Sequence, residues 1–181
     1  MEKVQVAVLD ACVLVPMPLV DTLLRLAEPP SLFEARWSAE ILAEVTRTLT
    51  RRFGKSPEKA LKREIAMRKF FPGSLVANNH RLIAEMENHP KDRHVLAAAV
   101  MCRADYLVTF NLRDFPTSAQ GKYLGMVIGP SAFLQQLWKL NHSVVEQRLS
   151  KQASDIAISR EILLNRLAKL VPDFVKTIRD A

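Results

Sequence analysis

Cysteine is nearly absent from this chain of 181 residues: Cys12 and Cys102 are the only two, and both sit inside apolar segments. Two thiols so placed read as reduced core residues and exclude a disulfide-stapled scaffold. Histidine is also sparse. His80, His89, His94 and His142 lack the spacing of metal ligands, so a zinc site has no support. No apolar run approaches the roughly 20 residues that cross a bilayer. The opening MEKVQVAVLD passes straight into a strand pattern, with neither a charged leader nor a cleavage site. Export is therefore not expected, a membrane is not an expected partner, and the expected location is cytoplasmic. Neither an internal repeat nor a low-complexity segment interrupts the chain.

What is present is ordinary in amount and uneven in placement. Hydrophobic residues are 49% and charged residues 25%, which suits a globular domain with a sizeable core and room for an appendage. The net charge of +7 is concentrated in one stretch. Between residues 47 and 72, nine cations (Arg47, Arg51, Arg52, Lys55, Lys59, Lys62, Arg63, Arg68 and Lys69) face only Glu58 and Glu64, while the remaining charges balance. A solvated helix face accounts for such a run, and so does a footprint for a polyanion such as nucleic acid. On the second reading Arg51, Arg52, Lys55, Lys59, Lys62 and Arg63 are candidate nucleic-acid contacts. Arg113 is a further candidate, although simple exposure accounts for an arginine there more readily.

Strands and helices alternate through the first two thirds. Residues 4–9 read as a buried parallel strand ending at Asp10, followed by a helix over 18–27 and a short strand over 32–37. Ser38 caps a helix running to Arg52, and Gly54 with Pro57 separates it from a basic helix over 57–70. A strand near 74–77, a helix near 79–87, a helix from Asp92 to about Arg103, a strand over 106–109 and the short strand MVI follow. The pattern predicts an α/β domain over 1–129, with a central parallel sheet covered on both faces. Residues 130–181 are strongly helical, with breaks at 141–143 and at Pro172. They form a C-terminal extension packed on that domain or on a partner. The apolar stripe from Phe133 to Leu170 is too large to be left bare.

The acids fall on one edge of this framework. Asp10 lies past the carboxyl end of the first strand, and Asn111 and Asp114 lie past the end of the 106–109 strand. Asp92 starts the helix that feeds that strand. In open parallel sheets this edge is where ligands bind. Glu44 sits on a flank of its helix from which it can point into the same crevice. Taken singly, Asp92 is an N-cap, Asp10 a turn residue, Glu44 a half-exposed helix acid and Asp114 a turn cap. Taken together, they repel one another unless a divalent cation neutralises them. An oxygen-rich set without a Cys or His group suits Mg²⁺ or Mn²⁺. A dehalogenase-type phosphatase also starts with Asp after its first strand, but it needs a second Asp where this chain has Cys12.

The segments VAVLDACVL, WSAEILAEVTRTL and KDRHVLAAAVMCRADYLVTFNLRDF, in this order, resemble the PIN-domain ribonucleases, whose best-known bacterial members are VapC toxins of type II toxin–antitoxin pairs. The resemblance spans residues 4 to 128. It implies a three-layer α/β/α fold and a Mg²⁺- or Mn²⁺-dependent endoribonuclease with Asp10, Glu44, Asp92 and Asp114 as the acidic cluster. Asp10, Asp92 and Asp114 are the implied metal ligands, with Thr109 and Asn111 in support. The family often carries Asp where this chain has Asn111, whose amide oxygen can ligate without adding charge; that departure bears against a second metal. RNA as substrate, a cognate antitoxin and a homodimer are the implied partners. A housekeeping PIN nuclease and an inactive RNA-binding PIN module are the alternatives. His94 reads as a partly buried structural histidine.

Overall fold

The structure, a computed structural model, describes residues 4–121, 123 and 125–181. Five parallel strands, β1 (Val6–Leu9), β2 (Glu34–Ser38), β3 (Leu75–Val76), β4 (Tyr106–Val108) and β5 (Met126–Ile128), form one sheet in the order β3-β2-β1-β4-β5. Ala7, Val8 and Leu9 of the central strand are all fully buried. Successive strand side chains point to opposite faces, so burial of all three requires cover on both sides. That is the three-layer arrangement expected from the uninterrupted apolar strands.

The helices are α1 (Ala11–Leu14), α2 (Leu19–Ala27), α3 (Ala39–Arg51), α4 (Pro57–Phe70), α5 (Arg93–Met101), α6 (Pro130–Leu140), α7 (His142–Asp155), α8 (Arg160–Ala168) and α9 (Pro172–Arg179). Among the described residues, none is long and apolar enough to cross a membrane. Local chemistry sets several boundaries. Ser38 Oγ accepts from the Ile41 N–H at 3.2 Å and caps α3, and Ser56 caps α4 in the same way with Pro57 in the first turn. Gly54 ends the α3 turn at φ +60°, which lets the Lys55 N–H close onto the Leu49 carbonyl at 3.0 Å.

Three elements differ from the sequence expectation. One-turn α1 was unforeseen. The stretch expected as a helix near 79–87 is a 3-10 helix, Asn79–Glu85, and α5 proper begins after a 3-10 turn at Pro90–Asp92. The tail breaks once more than expected, between α7 and α8. There Ala157 takes φ +52°, while the Ile158 N–H reaches the Ala153 carbonyl at 3.1 Å. Glycine or asparagine normally marks such a turn; alanine gives no signal.

The C-terminal helices share one hydrophobic core with the sheet domain. Phe133 of α6 meets the Phe33 ring edge-on at 5.0 Å and Tyr106 of β4 at 5.3 Å. Leu149, Leu163, Leu164, Leu167 and Phe174 are buried in the cluster that contains Ala7 and Leu107. Buried Gln152 of α7 donates to the Pro18 carbonyl at 3.2 Å and accepts from Thr22 Oγ1 at 2.8 Å, which fixes α7 against α2. Leu140, Ile156 and Ile162 remain exposed. Leu164→Ala is accordingly expected to cost about 2–5 kcal/mol, the range typical of a buried leucine. Exposed Ile162→Ala should stay within about 0.5 kcal/mol. Urea unfolding of the two variants checks this; equal costs would mean that α8 does not belong to the core.

Candidate metal centre

Strand order places the site. β1 and β4 are neighbours where the order reverses, and the crevice at such a switch point opens at the strands' carboxyl ends. Hydrogen bonding continues one residue past both strands: the Asp10 N–H donates to the Val108 carbonyl at 3.1 Å and the Thr109 N–H to the Ile128 carbonyl at 3.0 Å. Asp10 and Thr109 are thereby held side by side. Thr109 Oγ1 donates to Asp10 Oδ2 at 2.6 Å, and the Cys12 thiol donates to the same oxygen at 3.1 Å. Burial raises the Asp10 pKa against those two bonds, and the charge of Glu44 adds to the rise. Burial likewise pushes the Cys12 thiol up to about 12, helped by the Asp10 charge, so it is a hydrogen-bond donor rather than a nucleophile.

Asp92 ends the turn Pro90–Asp92 and occupies the N-cap position of α5, yet its side chain makes no capping bond. It is 1% exposed, and Oδ2 is buried with no hydrogen-bond partner among the described residues. The simple cap reading therefore lacks its defining contact. A buried carboxylate oxygen without a donor is costly, and a bound cation or water relieves that cost. Burial, then the charge of Asp10, then Asp114 push the Asp92 pKa up to about 6. Asp114 closes the 3-10 turn Leu112–Asp114 and is half-buried. Its carbonyl accepts the His89 N–H at 3.2 Å, tying the two loops together.

His89, Asp92 and Asp114 each offer a ligand atom, and these atoms lie within 4.8 Å of one another. Asp10 stands outside that group, although its charge reaches Asp92. Sequence reasoning missed His89, whose Nδ1 is 4.0 Å from Asp92 Oδ2. The signal was local: residues i and i+3 eclipse in a 3-10 turn, and Pro90 starts such a turn between the two. Glu44 is half-buried on α3, with Oε2 3.4 Å from His94 Nε2. His94 holds the Glu44 pKa below its ordinary value, against burial. His94 is itself raised: burial lowers it, but Glu44 outweighs that.

The candidate phosphate contacts divide. Arg51 and Arg52, at the end of α3, line a groove of about 610 Å³ that also contains Glu44, Lys91 and His94. Lys55, Lys59 and Lys62 are exposed but do not line that groove or the adjoining one, of about 550 Å³, that Glu44 also borders. Arg63 gives its guanidinium to the carbonyls of Val15 (2.9 Å) and Leu14 (3.2 Å), a structural use of a residue expected at the RNA. Arg113 is exposed beside Asp114, and Asn111 is half-buried with its N–H on Thr109 Oγ1 at 2.9 Å.

The family described as PIN domain matches residues 6–113. The chain belongs to the PIN-domain family. The matched span holds Asp10, Glu44, Asp92, Thr109 and Asn111 and stops one residue before Asp114. Among curated proteins, "Putative ribonuclease VapC50" of Mycobacterium tuberculosis is 38% identical over 101 residues, 54% of this chain and 60% of that protein. The alignment thus spans less than two thirds of that relative's length. No solved structure matches this PIN-domain chain.

A group whose pKa rises from 3.8 to about 6 on folding holds its proton more tightly in the folded chain. Its stabilising effect is complete below the lower value and is lost as pH climbs through the higher one. Metal-free Asp92→Asn should therefore melt above the wild type at neutral pH, with the gap closing toward about pH 4. Adding Mn²⁺ should raise the melting temperature of the wild type only. Parallel melting curves in EDTA and in Mn²⁺ decide it, and identical pH profiles would remove the electrostatic account of Asp92.

Proposed function

We propose that this protein is a Mg²⁺- or Mn²⁺-dependent endoribonuclease that hydrolyses RNA phosphodiester bonds, and that it acts as the toxin of a type II toxin–antitoxin pair. The observation that carries the reading is the unpartnered, buried Asp92 oxygen within reach of Asp114 and His89, in a chain of the PIN-domain family. The mycobacterial relative, named as a ribonuclease, supports the same substrate.

Carboxylate oxygens from Asp10, Asp92 and Asp114 make a hard donor set that fits such an ion. When bound, a divalent cation supplies Lewis acidity toward a phosphoryl oxygen and toward water. The protein's own part is positional. Thr109 and Cys12 both donate to Asp10 Oδ2, which fixes the orientation of this carboxylate. Glu44, kept ionised by His94, would complete the shell or orient the attacking water. Asn111 contributes an amide oxygen or steadies the scissile phosphate. Arg51 and Arg52 attract and seat the RNA backbone. A cognate antitoxin or a second copy of the chain has a surface available: exposed Met17 and Phe70 border a groove of about 520 Å³ whose lining is half apolar and half charged, Arg25, Arg148 and Lys151 among it.

Cleavage of a labelled RNA is expected with Mg²⁺ or Mn²⁺ and not in EDTA. Thr109→Val should lower the rate roughly 10–100-fold by loosening a ligand, and Asp10→Asn and Asp92→Asn should lower it at least as much. Wild-type rates from either Asn variant would refute the metal-centre assignment. Growth arrest on expression, relieved by the product of an adjacent gene, separates the toxin from a housekeeping nuclease.

Charge reversal offers an independent check. Arg51→Glu with Arg52→Glu should flatten the salt dependence of single-stranded RNA binding by about 0.7 per lost phosphate contact. Lys59→Glu with Lys62→Glu should change it less, because neither residue borders the site grooves. The reverse ranking in a salt titration would move the RNA path onto α4.

A further inference from the structure

Three phenylalanines are exposed among the described residues: Phe53, Phe70 and Phe110. Two of them, Phe53 and Phe110, line a single groove of about 550 Å³, and Glu44 and Asn111 line it too. The same groove carries three cations, Arg52, Lys91 and Lys169, none of them in a salt bridge among the described residues. Phe110 is pinned at its backbone. It sits between Thr109, which anchors Asp10, and Asn111, and its own N–H donates to Cys12 Sγ at 3.2 Å. Lys169 follows α8 and lies well outside the residues that match the PIN domain.

Exposed rings beside unpaired cations suit a single-stranded nucleic acid, because every base has a face that stacks and every linkage a charge to neutralise. Bases locked in a duplex cannot present their faces in this way. Resting on the ribonuclease reading, we infer that this groove holds unpaired bases next to the cleaved phosphate. Phe53 and Phe110 are their stacking platforms, and Lys169, supplied by the C-terminal helices, is a backbone contact. The extension is then part of the substrate site as well as of the core.

The test is binding of a short single-stranded oligoribonucleotide carrying 2-aminopurine, measured by fluorescence in EDTA so that no cleavage intervenes. Phe53→Leu and Phe110→Leu keep apolar bulk but remove the ring. Each is expected to weaken binding roughly 5-fold or more and to relieve the quenching of the stacked base. Phe110→Tyr should bind like the wild type, as should Phe70→Leu, which alters a different groove. Lys169→Gln should lower the salt slope by about 0.7. The same RNA annealed to its complement should bind more weakly and ignore both leucine substitutions. Wild-type affinity and quenching in both leucine variants, with cleavage by the wild type intact, would overturn the groove assignment alone. A wild type that neither binds nor cuts RNA would instead overturn the nuclease reading beneath it.

Discussion

Parallel pairing of β1 with β4, from Ala7 opposite Tyr106 to Leu9 opposite Val108, is the constraint on which the site depends. The two strands are distant in sequence and adjacent only because the chain crosses over between them. Their ladder extends to Asp10, whose N–H reaches the Val108 carbonyl, while the Thr109 N–H is held by Ile128 of β5; the 2.6 Å hydroxyl–carboxylate bond between Thr109 and Asp10 follows from that register. A one-residue slip would turn Asp10 to the other face, because strand side chains alternate. Buried Val8 and Leu107 oppose such a slip, since each would have to repack in the layer on the other face of the sheet. Core packing and the position of the first carboxylate are therefore one property.

The remaining acids work against stability. Asp92 is buried beside Asp10 and Asp114 with an oxygen left unpaired, and each neighbour makes its ionisation harder. No cation within the described cluster cancels this: His89 is exposed and 4.0 Å away, and Lys91 lowers the Asp92 pKa only in part. A bound cation would relieve that cost, which supports the proposed metal centre. Glu44 differs. Its partner His94 is close enough to keep it ionised, so it retains a charge at the pH where Asp92 is still titrating.

Much of the fold could be read from the sequence because its signals were local. Ser38, Ser56 and Gly54 mark helix ends by hydrogen bonding and backbone freedom. Unbroken apolar runs identify buried parallel strands, and Asp10 and Asp92 stand where strand and helix boundaries put them. What escaped had weak or tertiary signals. Ala157 adopts a left-handed turn that its residue type does not announce. Arg63 looks like one cation among nine, and only the path of the 14–15 backbone shows where its guanidinium is bound. His89 lacks ligand spacing on a helix; its approach to Asp92 arises from a 3-10 turn instead.

The C-terminal helices link these themes. Their buried leucines belong to the same core as the sheet, so the order of β1 and β4, and with it the site, leans on residues far beyond the PIN-domain match. The turn that ends α8 brings Lys169 to the groove shared with Glu44 and Phe110. Packing explains why that turn is fixed: Leu167 and Val171 on either side of it are fully buried, which leaves the intervening lysine projecting from a rigid support. A charged side chain so mounted keeps its flexibility only beyond the backbone, which would limit the entropy lost in the proposed phosphate contact. An appendage that looks like a hydrophobic addition in the sequence thus forms part of the domain's core and, through Lys169 and Leu170, part of the wall of that groove.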